Sequence, residues 1–186
     1  MIITIVVIVV LLLLVGFGVM GFNKLRTADI HAQEALGGID VQLTRRADLI
    51  PNLVNTVKGY ATHEQKVFDD VTAARAGAAA AAKGGSVEDK AAAAAVLDKA
   101  VVNVLAVAEA YPELKASTNF LQLQDQLAET ENQLSFARQF YNDAVATLNK
   151  LVSTIPWMFF SGIASVGKRE FYRAPEGQAA PPTVSF

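Results

Sequence analysis

The chain has 186 residues, with 16 Lys and Arg against 18 Asp and Glu and a formal net charge of −2; its pI is near 5.7. That balance excludes the basic surface of a protein that seeks nucleic acid, and it is not the strongly acidic composition of a disordered chain. The absence of Cys excludes a disulfide framework and fits a reducing compartment.

From Ile2 through Leu11 and Leu14 to Phe22 the sequence is one long run, apolar but for Thr4, without a charged side chain. As a helix it extends about 31 Å, enough to cross a hydrocarbon core of about 30 Å. A cleaved secretory signal would need a basic n-region, a shorter apolar stretch and a small-residue cleavage site. None is clearly present, so residues 1–23 are read as a retained transmembrane anchor. Lys24 and Arg26 follow the run directly and no Lys or Arg precedes it. By the positive-inside rule the short N-terminus lies outside and the C-terminal part in the cytoplasm.

Beyond the anchor, Ala-rich segments with Gln, Glu and Lys favour helix, and β-branched alternation is nearly absent. An all-α chain is expected: a transmembrane helix, then an antiparallel bundle over residues 24–155. Ile39, Leu43, Ala47, Ile50, Val54, Val57, Ala61, Val67 and Val71 advance by threes and fours, with Glu64 as a polar exception. They predict one long helix over about 24–82, interrupted at Gly37-Gly38 and kinked at Pro51. Gly84-Gly85 end it, and Ser86 with Asp89 resembles a capping box that opens a second helix over about 87–111.

The third helix, about 118–155, has the cleanest pattern. Phe120, Leu127, Leu134, Tyr141 and Leu148 recur every seven residues, with Leu123, Thr130, Ala137, Ala144 and Leu151 as a companion seam. Such a seam asks for a partner helix at a shallow angle. Helices of the same chain and of another copy both satisfy it, and the short connections favour the former. Asn52, Asn132 and Asn142 are candidates for buried amide hydrogen bonds that fix register.

Residues 156–186 form an aromatic segment and tail. Trp157, Phe159 and Phe160 lie in a run too short to cross a bilayer. Three readings stand for it: a cap on the bundle, a dock for a neighbouring subunit, or an element at a bilayer surface with Lys168, Arg169 and Arg173 near headgroups. Arg45, Arg46 and Asp48 are a further candidate interaction site, either for lipid phosphate or for an ion pair within the bundle involving Asp48 or Glu131.

Chemistry-bearing motifs are scarce. His63-Glu64 lacks the second His four residues away that a helical zinc site would use, and His31 with Glu34 does not make the paired Glu-x-x-His of a bundle di-metal site. Gly84-Gly85 lacks a P-loop Lys and a preceding strand. No catalytic, cofactor or metal residues are assigned, and no enzymatic activity or cofactor is expected.

Three long stretches then coincide with one family. IDVQLTRRADLIPNLVNTVKGYATHE (Ile39–Glu64), YPELKASTNFLQLQDQLAETEN (Tyr111–Asn132) and ARQFYNDAV (Ala137–Val145) resemble the LemA family of bacterial membrane proteins over nearly the whole chain. The family pattern has a second Tyr-Asn pair, where this chain has Leu148-Asn149. The resemblance implies a single-pass protein of the bacterial inner membrane with a long-helix cytoplasmic bundle, and it brings no enzymatic activity. Three functions remain in view. The first is a scaffold that touches membrane lipid and self-associates as a homo-oligomer. The second is an adaptor for another membrane complex, such as a protease or stress-response assembly. The third and least favoured is a metal-dependent enzyme.

Overall fold

A computed structural model of the chain describes residues 1–173. The Pro-, Gly- and Ala-rich end of the expected tail lies outside the described residues. Among those described, every regular element is helical: α1 (Ile2–Lys58), α2 (Gln65–Gly84), α3 (Val87–Ala108), α4 (Pro112–Lys115), α5 (Thr118–Ser153), a 3-10 turn (Trp157–Phe160) and α6 (Ser161–Ala164). The chain is all-α, a long apolar N-terminal helix followed by helices that pack together. The described residues divide into two compact units, Met1–Leu36 with Phe140–Phe171, and Gly37–Gln139 with Tyr172 and Arg173.

The first half of the fold differs from its expected outline at two places. α1 stops at Lys58 rather than continuing to about residue 82. Gly59 has low helix propensity, and the amides of Tyr60 and Ala61 both turn back to the Val57 carbonyl, at 3.0 and 2.9 Å. Glu64, the polar exception in the apolar phase, stands just before α2. His63 accordingly lies exposed in this break and not mid-helix. By contrast, α1 runs without interruption through Gly37-Gly38. Added side chains at these two glycines would meet open space.

Pro51 also lies inside α1. It has no N–H to give the Ala47 carbonyl, so that acceptor is left without its helical partner. Arg75 of α2 supplies the missing donor, its Nε lying 2.9 Å from the Ala47 oxygen. Arg75→Met is therefore expected to destabilise the protein by about 1–2 kcal/mol in urea unfolding. The loss should shrink in the Pro51→Ala background, where the helix satisfies its own carbonyl. Equal losses in both backgrounds would refute this role.

In the second unit, α2 and α3 form a helical hairpin about Gly85-Ser86. The Ser86 hydroxyl accepts from the Asp89 amide at 3.0 Å and the Asp89 carboxylate accepts from the Ser86 amide at 2.9 Å. These bonds make a capping box, and the Ser86 hydroxyl, followed by its amide, holds the Asp89 pKa below the ordinary carboxylate value. The core combines Ile50, Leu53 and Val57 of α1, Phe68 and Val71 of α2, Leu97 and Val104 of α3, Leu114 of α4, and Phe120 and Leu127 of α5. α3 is long and apolar enough to cross a membrane, yet its Ala91, Ala94, Leu97 and Val101 are buried in this unit.

The first unit contains the N-terminal part of α1 and the C-terminal part of α5. Tyr141 and Leu148 are buried here, as Phe120, Leu127 and Leu134 are in the second unit, so all five heptad positions face inward. After α5 and a cis Ile155-Pro156 bond, the 3-10 turn and α6 reverse the chain. Ser165 takes a left-handed conformation, with φ of 52°, and the Val166 amide closes back onto the Ser161 carbonyl at 3.0 Å, which is the helix-ending geometry usually given to Gly.

Candidate functional site

Two constellations stand out, one in each unit. In the second unit, α1, α3 and α5 bring together Arg46, Asp98, Glu131 and Arg138. Arg46 is only 7% exposed. Its Nη1 hydrogen-bonds Glu131 Oε2 and ion-pairs with Asp98. Arg138 reaches the other Glu131 oxygen at 3.5 Å, and its guanidinium lies 5.2 Å from the centroid of the Tyr172 ring.

The electrostatics of this cluster follow from its burial. Loss of water raises the Asp98 pKa, Arg46 pulls it down, and the neighbouring Glu131 charge raises it again; burial dominates. Burial likewise raises the Tyr172 phenol, against the opposing charge of Arg138. Two guanidinium groups facing two carboxylates make a charge-balanced lock between helices distant in sequence. Of the sequence candidates, Arg46 belongs to this lock and takes Glu131 as a partner. Arg45 and Asp48 are exposed, and Asp98 takes the place on Arg46 that sequence reasoning had offered to Asp48. Lys90 makes a second buried pair, reaching Asp40 of α1 and the Ala82 carbonyl.

In the first unit the aromatic segment packs on α1. Phe17 stacks near Trp157 and Phe160, with ring centroids 6.2 and 5.4 Å apart. The Lys24 amine lies 4.1 Å from the centroid of the Trp157 ring, a cation–π geometry. A Cβ added at Gly21 would come within 2.4 Å of the Phe160 ring, so the glycine is what admits the aromatic side chain.

The chain returning from this segment is tied down by polar groups. The Asn149 amide donates to the Arg169 carbonyl and accepts from the Arg169 amide, both at 2.9 Å. The Tyr141 hydroxyl donates to the Glu170 carbonyl at 2.8 Å. Arg169 Nε donates to the buried Asp29 carboxylate at 2.7 Å. Asn149 was not among the amides singled out from sequence, although it is the surviving half of the altered Leu148-Asn149 pair.

A family model described as the LemA family matches residues 35–186. The chain belongs to the LemA family. The matched region includes the charge lock, Asn149 and the aromatic segment. Among individual proteins, this LemA-family chain is similar to the magnetosome proteins MamQ 2 and MamQ 1 of Paramagnetospirillum magneticum. Each is 22% identical over 177 residues, covering 83% of this chain and 65% of the relative. It is also 23% identical over 182 residues to the magnetosome protein MamQ of Magnetospirillum gryphiswaldense, covering 85% of this chain and 67% of that protein. The chain thus spans just under two thirds of the length of the first two relatives. Family membership and the exposed N-terminal stretch of α1, with a mean hydropathy of 3.3 and none of it buried, together point to a membrane-associated protein.

Proposed function

We propose that this protein is a membrane-anchored, non-enzymatic scaffold whose copies associate side by side through α5. The observation that carries this reading is the pair Phe136 and Phe140, four residues apart on α5 and 67% and 64% exposed. Large aromatic side chains one helical turn apart form a contact surface that water penalises. Phe140 also lines a groove of about 740 Å³ in which Ala28, Ala144 and Leu151 stand beside the polar Lys24, His31 and Asp143, with room for a side chain from a second copy. Anchoring confines copies to a plane and raises their effective concentration, so a modest surface suffices. Lys24 and Arg26 at the end of the apolar run support an orientation with the bundle on the cytoplasmic face of the bacterial inner membrane.

Mass photometry of the full chain, extracted with its lipids into polymer-bounded discs, tests the reading. The wild type is expected as multimers, and a Phe136→Glu/Phe140→Glu variant of unchanged helicity as monomers. A monomeric wild type, or multimers unaffected by the double substitution, would overturn it.

A further inference from the structure

The aromatic segment is uncharged from Leu151 to Gly167, between Lys150 and Lys168. Its inward side is accounted for by Phe17, Gly21 and Lys24. Its outward side is not: Ile155 and Ile163 are each 74% exposed and Phe159 is 67% exposed, with Met158 beside them. Such a dense set of large apolar side chains marks a contact surface, and its position identifies the occupant. Phe17 and Gly21 belong to the apolar run that ends at Phe22, so a segment packed on them sits at the depth of the membrane.

We propose that the chain from Ile155 to Ala164 is a second membrane element, a shallow wedge that inserts Ile155, Met158, Phe159 and Ile163 into the lipid leaflet through which α1 leaves the bilayer. The proposal rests on the reading of α1 as a span. Three further features fit lipid as the occupant. The segment is too short to cross, so it lies within one leaflet. Its backbone is largely self-satisfied, as lipid requires. The Met158 amide bonds the Thr154 carbonyl at 2.9 Å and the Phe159 amide bonds the Pro156 carbonyl at 3.3 Å; Pro156 has no N–H to satisfy, and the Ser161 hydroxyl donates to the Met158 carbonyl at 2.7 Å. Finally, Trp157 beneath the Lys24 amine combines an amphipathic ring with a cation, the pairing favoured at the headgroup level. Lys168 and Arg169 follow where the chain leaves the wedge. The protein would then hold the membrane at two points side by side, the α1 span and the wedge packed against its end.

The chain has no Cys, so single nitroxide labels can be placed at will. In full-length protein reconstituted into vesicles of phosphatidylcholine and phosphatidylglycerol, labels at Phe159→Cys and Ile163→Cys are expected to collide with oxygen several-fold more, relative to a water-soluble nickel chelate, than a label at Lys168→Cys. A label at Leu11→Cys serves as the reference for α1. If position 11 is lipid-exposed while 159 and 163 are reached by the chelate, the wedge is overturned and the span stands. If 159 and 163 are shielded from both reagents, protein covers them, and the wedge is again overturned. If position 11 itself is reached by the chelate, the span and the wedge fail together.

Discussion

Arg46→Met is expected to lower the unfolding free energy by about 3 kcal/mol, because it removes the cation from a buried pair and leaves two carboxylates facing one another. Glu131 keeps Arg138 at 3.5 Å, whereas Asp98 loses its ion-pair partner. The companion variant Asp98→Asn behaves differently. Burial raises the Asp98 pKa above its ordinary 3.8. Over the range between those two values the folded chain holds a proton that the unfolded chain has released. Stability is therefore lost as pH rises through that range and is fully present below it. Asn imitates the protonated acid, so Asp98→Asn is expected to match wild type in acid and to equal or exceed it at pH 7. Urea unfolding of both variants across pH checks the pair. A small effect of Arg46→Met, or a marked loss for Asp98→Asn at pH 7, would show that the cluster is not a lock governed by burial.

Gly21→Val is expected to eject the aromatic segment from α1. The added Cβ would stand 2.4–2.7 Å from three atoms of the Phe160 ring, so the ring has to move aside. Overpacking of this kind costs about 1–3 kcal/mol. The readout is specific because Trp157 is the chain's single Trp and lies beside Phe17 and Lys24. Its emission should change on Gly21→Val and return when Phe160→Ala is added to make room. An emission spectrum indifferent to Gly21→Val would contradict the close approach.

Local, periodic features of this chain are legible in its sequence, and pairings between distant helices are not. Periodic features are local and were readable: the apolar run, the Ser86–Asp89 cap and the seven-residue spacing of Phe120, Leu127, Leu134, Tyr141 and Leu148, all buried. The break at Gly59 was masked because the apolar phase carries on across it, from Val57 and Ala61 to Phe68 and Val71. Pairings were the least legible. Arg46 stood out for its charge, but Asp98 reads as one polar residue in an Ala-rich helix until α3 lies against α1. The same holds for Arg75, whose purpose depends on a carbonyl that Pro51 orphaned 28 positions away. Gly21 carries no sign in the apolar run of what it does until the Phe160 ring lies against it.

The scaffold reading is tested most directly by a photo-crosslinking residue at position 140 of the full chain in intact membranes, with two differently tagged copies expressed together. Adducts that carry both tags are expected, and they should vanish when Phe136→Glu is also present. Adducts solely with other proteins, or none at all, would contradict it.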